Sequence, residues 1–371
     1  MKATAKVVIL DASYEKMRLA VDAVFERFPL DVAGKTVLLK PNMVGMYEPE
    51  THANTHPAVI RALVERLRQD GATVTVGDNP GTSGYGAVEK SARISGLMEA
   101  SLGAFENIAR ESQRVKLTGH DVEVNISRKV LETDVLISVP KFKTHVMTHV
   151  TGAIKNSYGF LVGGDKARLH LDYPRYPMFS EIVTEVYRLR VPDLIVMDAV
   201  VGIQGNGPQN KFLYHVGKLM ASDNGVALDS VMSRMMGMKP ETIRSIEYAH
   251  ELGLGPIAPE EIEIEGDAGK LKRFRRPVPS IPQRFSGTWI MAFFPDIGRP
   301  RFDVDEYVCT SCRSCVDICP AGAITVEKKG APEYDYEKCI ACYCCMELCP
   351  QTALHLHETF RTRLYRRLGY M

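Results

Sequence analysis

The first 308 residues of this 371-residue chain contain no cysteine, and all nine cysteines lie between Cys309 and Cys349. A secreted protein held together by disulfides spreads its cysteines along a short chain. Cysteines confined to one end of a long chain instead favour metal binding. The absence therefore points to a site near the carboxyl end.

Long apolar runs and an excess of one charge are also missing. No run approaches the roughly 18 apolar residues that a membrane helix needs, and residues 1–17 lack the apolar core of a signal peptide. The formal net charge of +1 argues neither for nor against nucleic acid. We expect a cytoplasmic protein with no membrane span and no nucleic-acid partner.

Two nucleotide motifs are absent as well. The glycine-rich stretch at residues 77–86 lacks the Lys-Ser/Thr ending of a P-loop, and it does not match the dinucleotide fingerprint. The sequence therefore predicts neither an ATP site nor an NAD site.

Eight of the cysteines form two copies of the pattern C-x2-C-x2-C-x3-C-P, and matched positions lie 30 residues apart. Such a repeat indicates an internal duplication, with halves related by a pseudo-twofold axis. Three thiolates spaced in this way surround one iron–sulfur cubane, and the fourth cysteine points to the other cubane. The pattern predicts two 4Fe–4S clusters. Their ligands are Cys309, Cys312, Cys315 and Cys349 for cluster 1, and Cys339, Cys342, Cys345 and Cys319 for cluster 2.

Zinc is the competing interpretation of these cysteines. Structural zinc sites pair their ligands, typically as C-x2-C motifs with a longer gap between them, and this arrangement differs from the pattern here. The ninth cysteine, Cys344, has two interpretations. It is either a small apolar filler beside a cluster or a spare thiol that replaces a ligand or responds to oxidants.

Residues 302–357 resemble the bacterial two-cluster ferredoxin module, with all eight ligand positions matched. The resemblance implies that the protein transfers electrons, and that a redox partner protein is its donor or acceptor.

The amino-terminal part has the pattern of an α/β fold. Short β-branched runs at residues 7–10, 36–39, 74–76, 135–139 and 194–197 predict strands. Helical patterns lie at residues 14–28, 57–68, 177–189, 225–236 and 241–252. Continuous apolar strands among amphipathic helices predict a mostly parallel sheet with flanking helices. We expect this α/β domain to be followed by a small α+β two-cluster ferredoxin-like domain.

Polar loops follow these strands, at the end of a parallel sheet where ligands bind. Lysines in and after these loops predict a cationic cleft for an anionic small molecule bearing carboxylate or phosphate, although solvated surface lysines would produce the same pattern. Lys166, Arg168 and His170 add to the cationic character. The predicted catalytic residues are Lys141, His145 and Lys155, and the predicted ligand-binding residues are Lys40, Asn42, Asp78, Lys143, Asn156, Gly205 and Gly207.

Two histidine pairs have a spacing of four residues, His52 with His56 and His145 with His149. On a helix this spacing places two imidazoles on one face, where they can bind a metal. Pro57 favours a loop or helix start for the first pair. A hydrogen-bonding or proton-transfer role is the favoured one for His145.

Composition changes at residues 268–300, which hold five prolines, seven basic residues and one acidic residue. We predict a proline-rich basic linker there, between an α/β domain at 1–267 and a ferredoxin domain at 301–357, with a basic tail at 358–371. The basic run at 272–276 is either a solvated face or one that docks on the ferredoxin domain, or it meets an anionic partner such as nucleic acid or a lipid headgroup.

Several motifs together resemble the uncharacterised iron–sulfur-centre protein family, which joins a domain of unknown function to a two-cluster ferredoxin module. They are Lys40-Pro41-Asn42, the 141–145 block, Thr151-Gly152, Lys155-Asn156 with Gly159, and Gly207-Pro208. The resemblance implies domain arrangement and cluster content, but not a reaction. Three hypotheses follow: a redox enzyme with its acceptor in the cleft, a non-catalytic electron carrier or adaptor for an oxidoreductase, and a metal-centre assembly factor.

Overall fold

The computed structural model describes residues 5–81, 86–208, 212–277, 301–327 and 330–357. Most of the predicted linker and the whole predicted basic tail lie outside the described residues, as do residues 82–85 of the glycine-rich stretch.

Strands and helices alternate along much of the chain. The described strands are β1 (Ala5–Asp11), β2 (Thr36–Pro41), β3 (Thr73–Val76), β4 (Ser112–Leu117), β5 (Val122–Ser127), β6 (Val135–Val139), β7 (Lys141–His145), β8 (His149–Thr151), β9 (Leu194–Ile203), β10 (Leu213–Ser222), β11 (Ile262–Glu265), β12 (Phe302–Val304), β13 (Ile324–Val326), β14 (Pro332–Tyr334) and β15 (Leu354–Leu356). The described α-helices are α1 (Met17–Arg27), α2 (Pro57–Gln69), α3 (Ala87–Ile94), α4 (Leu97–Ala100), α5 (Arg128–Glu132), α6 (Ala153–Asn156), α7 (Asp165–Asp172), α8 (Tyr176–Leu189), α9 (Gly225–Met235), α10 (Arg244–Glu251), α11 (Ser314–Asp317) and α12 (Cys344–Glu347).

The large sheet has the order β11-β1-β10-β9-β6-β2-β3, and β7 adds to β9 and carries β8. Its pairings are parallel except for β1 with β10, β10 with β9, and β7 with β8. The predicted α/β class with a mostly parallel sheet is confirmed. The antiparallel strand β10, which the sequence analysis missed, lies inside this sheet.

Apolar residues cover both faces of the sheet, which explains why its strands are apolar without alternation. Leu38 packs with the core on the side of α8 and α9, whereas its neighbours Val37 and Leu39 pack with α1 and α2. On β9, Ile195 likewise packs in the first of these cores and Val196 in the second. Opposite faces of each strand therefore fill two different cores.

Two expectations about local structure differ from what is observed. Residues 141–145, predicted as a loop after β6, form strand β7. His145 and His149 are not on a helix, because they face each other as a cross-strand pair of the β7–β8 hairpin. His56 is the N-cap residue of α2, as the prediction of a loop or helix start implied.

The carboxyl-terminal part consists of two matched halves. Each half contains two short strands and a short helix that begins at or beside a cysteine, and the strands pair between the halves, β12 with β15 and β13 with β14. The predicted small α+β module is confirmed. It is joined to the larger domain through a continuous hydrophobic core that includes Phe302 and Met346.

The start of α6 is held by a buried carboxylate of α9. Asp229 is 1% exposed, and it accepts hydrogen bonds from the backbone N–H groups of Ala153 at 2.7 Å and Ile154 at 3.1 Å. Burial raises the pKa of Asp229 to about 7 despite these two hydrogen bonds. Gly152 allows this close approach, because a Cβ atom there would lie 2.0 Å from an Asp229 oxygen.

We predict that Gly152→Ala destabilises the protein, because a methyl group has no room beside the Asp229 carboxylate. The midpoint of thermal unfolding, followed by circular dichroism, should fall by about 5 to 15 °C. Gly164→Ala is the control, since a Cβ atom there meets nothing within 4 Å and its φ of −76° suits alanine. Equal melting curves for the two variants would contradict this role of Gly152.

Candidate functional site

A cavity of about 450 Å³ lies where β2 and β3 end and where α6 begins, and we call it the cleft. Side chains from the larger domain and from the carboxyl-terminal module line it together. Its polar lining residues are Lys40, Asn42, Asp78, Asn79, Lys143, His145, Thr151, Lys155, Asn156, Lys166, His170 and Glu347. The carboxyl ends of parallel strands are the expected place for such a site.

Lys40 and Lys143 belong to one buried network in the cleft. Lys40 Nζ donates to Asn156 Oδ1 at 2.9 Å and to the Pro41 carbonyl at 2.8 Å, and it lies 2.8 Å from Asp78 Oδ1. Lys143 Nζ donates to Asn42 Oδ1 at 2.6 Å and to the Ala53 carbonyl at 2.8 Å. Three partners saturate the Lys40 ammonium group, whereas Lys143 retains one donor.

Lys155 and Lys166 are held more loosely. Lys155 Nζ lies over the rings of Tyr158 at 4.8 Å and Phe179 at 5.6 Å. Lys166 Nζ donates to the Asn79 carbonyl. Burial lowers the pKa of Lys155 against the attraction of Glu347, and it lowers the pKa of Lys166 to about 7 against that of Asp78.

The module containing the cysteines forms one wall of the cleft. Ile318, Cys344, Glu347 and Leu348 all line the cavity. Tyr47 OH of the larger domain donates to the carbonyls of Glu347 at 2.8 Å and Cys349 at 3.1 Å. Helix α12 is thereby fixed against the loop that follows β2.

Glu347 is the charged contact between the two parts. Its Oε1 atom lies 2.9 Å from Nε2 of His145, whose side chain is 2% exposed. Nδ1 of His145 accepts from the backbone N–H groups of Met147 at 3.1 Å and Thr148 at 3.3 Å, so the hydrogen of a neutral ring lies on Nε2. Burial opposes ionisation of Glu347, but His145, Lys155 and His170 hold its pKa at about 2.

The structure brings most of the predicted cleft residues together. Lys40, Asn42, Asp78, Lys143, His145, Lys155 and Asn156 all line the cavity. Lys141, Gly205 and Gly207 do not. Lys141 is fully buried elsewhere, donating to Asp198 at 2.7 Å and to Tyr14 OH at 3.0 Å. Gly207 fits closely against the backbone of Thr144, where a Cβ atom would lie 2.0 Å from the carbonyl oxygen.

Sequence reasoning missed Glu347, Asn79 and Thr151 as cleft residues. Glu347 lies inside the second cysteine motif, where its neighbours gave no reason to separate it from the cluster loop. Lys166 and His170, noted only as nearby basic residues, do line the cleft, whereas Arg168 pairs with Asp165 at 2.8 Å outside it.

The eight motif cysteines surround two smaller cavities. One is lined by Cys309, Cys312, Cys315 and Cys349, and the other by Cys319, Cys339, Cys342 and Cys345. Each set thus combines three cysteines of one motif with the fourth of the other motif. Four thiols around one cavity are the donor set that a 4Fe–4S cubane requires. Cys344 lines the cleft rather than either of these cavities.

The backbone around these cavities also suits an anionic cluster. Ser311 and Arg313 have φ values of 53° and 66°, and the matched residues Ala341 and Tyr343 have φ values of 57° and 63°. Left-handed residues two apart in a tight loop favour a backbone in which successive N–H groups form a concave site for anions. Holding four non-glycine residues in this way is energetically unfavourable, so its repetition in both halves indicates a function.

Matched hydrogen bonds to sulfur accompany this geometry. The backbone N–H of Ala323 donates to Cys319 Sγ, and that of Ala353 donates to Cys349 Sγ, both at 3.3 Å. Such N–H···S contacts adjust the reduction potential of an iron–sulfur cluster. The residues present therefore fit 4Fe–4S clusters.

Two further features are absent from the described residues. No three His, Cys, Asp or Glu side chains of this part of the chain converge to hold a single metal ion. None of its helices combines the length and the apolar character needed to cross a membrane.

Known solved structures share limited similarity with this chain. The lactate racemase apoprotein of Thermoanaerobacterium thermosaccharolyticum aligns with a TM-score of 0.41 and 11% identity, over 64% of this chain and 58% of its own. The chain thus spans somewhat more than half of that protein's length. A protein of Thermotoga maritima aligns with a TM-score of 0.39 and 13% identity, over 88% and 87% of the two chains.

Sequence comparisons are more specific. A thylakoid-associated protein of Synechocystis sp. is 29% identical over 229 residues, which cover 61% of this chain and 71% of that protein. Residues 37–234 match the family described as "Domain of unknown function (DUF362)", and residues 308–353 match the 4Fe-4S dicluster domain. The family resemblance predicted from the motifs is confirmed. The chain belongs to the DUF362 family and carries a ferredoxin-type 4Fe–4S domain, a module of iron–sulfur electron transfer.

Proposed function

We propose that this protein is a redox enzyme in which two 4Fe–4S clusters deliver electrons to an acceptor bound in the cleft. The observation that carries the proposal is the position of α12. This helix contains Cys345, a member of the second cysteine set, and also Cys344 and Glu347, which line the cleft. An acceptor in the cleft therefore lies next to a cluster loop.

The two cysteine sets are proposed to bind one cluster each, with the interleaved ligands predicted from the motif spacing. A bound cluster would supply one-electron transfer, at a potential adjusted by hydrogen bonds and burial. In this proposal residues 1–267 bind the acceptor, residues 301–357 carry the electrons, and residues 268–300 connect them. The first part of the connector packs on the larger domain. The ring centroid of Phe274 lies 5.3 Å from that of Tyr214 and 6.1 Å from that of Phe142.

Residues of the cleft would bind and protonate the acceptor. Lys155 and Lys166 place ammonium groups in the cavity, where an anionic acceptor is attracted to them. Burial lowers the pKa of both lysines, which makes each a better proton donor as the acceptor is reduced. His145 has a different role, because two backbone N–H groups hold its ring with Nε2 placed 2.9 Å from Glu347 Oε1.

Electrons would enter from a redox partner protein at the opposite cluster. Cys312 of the first set is exposed, and next to Cys309 the side chains of Tyr307 and Val308 are 102% and 40% exposed. An exposed apolar group beside a redox centre suits a transient protein contact. The second set is more enclosed, since Cys342 and Cys345 are buried.

We predict that Cys349→Ser removes the cluster of the opposite motif. Anaerobically reconstituted wild-type protein should contain about eight irons, four for each cubane. The variant should lose about half of them, and the electron paramagnetic resonance signal of the reduced protein should change from two interacting clusters to one. Cys344→Ser is the control and should retain the full iron content, since Cys344 lines the cleft. If zinc fills the sites, or if Cys349→Ser keeps all its iron, the cluster assignment is wrong.

We predict that Lys155→Ala impairs electron delivery without affecting the clusters. After anaerobic reduction, the protein is mixed with the small-molecule fraction of a cell extract, and cluster reoxidation is followed by absorbance. The variant should be reoxidised about tenfold more slowly, because an anionic acceptor loses a charge-assisted contact. Lys35→Ala is the matched control, since Lys35 pairs with Asp31 at the other end of β2 and does not line the cleft.

The alternative of an electron carrier or adaptor has a distinct outcome. If wild type and Lys155→Ala are reoxidised equally by the extract fraction, and only a partner oxidoreductase reoxidises them quickly, the cleft is not the site of reduction. Native mass spectrometry provides an independent check. A small molecule retained by the wild type and released by Lys155→Ala would contradict the carrier hypothesis.

A further inference from the structure

We propose that the cleft selects a dianion, such as a dicarboxylate or a phosphate monoester, over a monoanion. This inference deepens the proposed function and rests on it only for the statement that the ligand is the electron acceptor. Its basis is the distribution of charge among the side chains that line the cavity.

The cleft contains four lysines and two carboxylates, Asp78 and Glu347. Lys40 lies 2.8 Å from Asp78 and has its three donors occupied. Glu347 is the carboxylate that attracts Lys155. Glu347 also attracts Lys143, and Asp78 also attracts Lys166, so the four lysines share two carboxylates. When all these groups are ionised, the lining therefore carries an excess of two positive charges.

Unused donors coincide with this excess charge. The Lys143 ammonium group uses two donors, on Asn42 and Ala53, and the Lys166 ammonium group uses one, on Asn79. Lys155 faces aromatic rings and, among the described residues, donates to no oxygen. Ammonium groups with free donors in a cleft suit a ligand with several anionic oxygens.

Unpartnered polar atoms around the cavity also point to a polar ligand. Asn79 Oδ1, Thr151 Oγ1 and His170 Nδ1 are buried without a hydrogen-bond partner, in residues that are 7%, 3% and 5% exposed. The orientation of Asn79 is fixed, because its Nδ2 donates to the carbonyls of Gly159 at 3.0 Å and Leu161 at 3.2 Å. Buried polar groups are nearly always paired, so three such atoms around one cavity indicate a bound polar molecule.

The volume restricts the ligand further. A cavity of about 450 Å³ falls in the range of pockets for small organic molecules. The lining also includes the apolar side chains of Val44, Val88, Leu161, Ile318 and Leu348. Space and apolar contact therefore remain for a carbon skeleton attached to the anionic groups.

Binding of a dianion should be linked to proton uptake. Burial holds the pKa of Lys166 at about 7 in the empty cleft, and a nearby anion raises it again. The complex then binds more protons than the free protein. Affinity is therefore highest below pH 7 and falls as the pH rises through that value, by up to about tenfold per pH unit for each proton taken up.

The test is titration calorimetry on the anaerobically prepared holoprotein, with its clusters oxidised and no electron donor present. The probes are succinate and methyl phosphate as dianions, and acetate as the monoanion. At pH 7 at least one dianion should bind about tenfold or more tightly than acetate, since it pairs with a second ammonium group. The stronger of the two dianions identifies the chemical source of the charge.

Lys166→Met removes the charge with little effect on folding, because Lys166 is half-buried and methionine retains most of its length. The variant should bind the preferred dianion about tenfold more weakly, change little toward acetate, and lose the proton uptake seen when buffers of different ionisation heat are compared. Lys35→Met, outside the cleft, should behave as the wild type. Acetate binding as tightly as both dianions, or an unchanged dianion affinity in Lys166→Met, would overturn the inference.

The outcomes also separate this inference from the proposed function. If a dianion binds as expected but the extract fraction does not reoxidise the reduced clusters, dianion selection stands and the redox role of the cleft fails. If the extract fraction reoxidises the clusters and neither dianion competes with that reaction, the redox role stands and dianion selection fails.

Discussion

Burial of the Glu347 carboxylate against the larger domain is the interaction on which the rest of the structure depends. Removing a carboxylate from water costs several kcal/mol unless hydrogen bonds and opposite charges compensate it. Lys155 attracts the carboxylate, and His145 Nε2 lies 2.9 Å from it. Both contacts form only when the module is docked on the larger domain. The position of the cysteine-bearing module and the charge of the cleft are therefore set by the same contact. Tyr47 OH donates to the carbonyls of Glu347 and Cys349, and these two hydrogen bonds fix the position of Glu347 relative to the larger domain.

This arrangement makes the cleft a product of both parts of the chain. The larger domain contributes the lysines at the ends of its strands, as parallel sheets generally place their ligand residues. The module contributes a wall that includes Ile318 and Leu348, each adjacent to the last cysteine of a motif. Neither part alone encloses the cavity. A domain arrangement that merely tethered an electron carrier to a binding domain would not need this shared lining.

Features that depend on residues close in sequence were predicted correctly, whereas features that depend on contacts between distant segments were not. Strand β2 and helix α2 follow from local periodicity, and the structure places both where these patterns indicated. The interleaved ligand sets remain a prediction from motif spacing, and the four cysteines of each set line one cavity. Lys141 and Lys143 show the limit. They are two residues apart on one strand, but the register of β7 against β9 shifts between them, so that Lys141 lies beside Asp198 and Lys143 faces the cleft. This irregularity arises from the pairing of β7 with β9, and the sequence of residues 141–145 alone does not predict it.

Glu347 was missed for a related reason. Its sequence neighbours are cysteines, and local reasoning assigns the whole segment to cluster binding. Its partner His145 lies about 200 residues away in the chain, so the pair exists only once the module has docked. The same holds for the excess charge of the cleft. Its four lysines are spread over residues 40–166, and only the folded structure places them around one cavity.

Lysine burial also explains why a cleft of this kind is unlike a surface patch. An exposed lysine keeps its charge and its water, and a passing anion gains little from it. A buried lysine loses hydration first, and burial lowers the pKa of Lys143, Lys155 and Lys166 in the empty cavity. Loss of a proton reduces the free-energy cost of burying these side chains. A bound anion favours the ammonium form again, so the lysines take up protons when the anion binds. The proposed anion binding, proton uptake and supply of protons for a reduction would then all follow from one feature, the placement of basic side chains in a cavity that the iron–sulfur module helps to line.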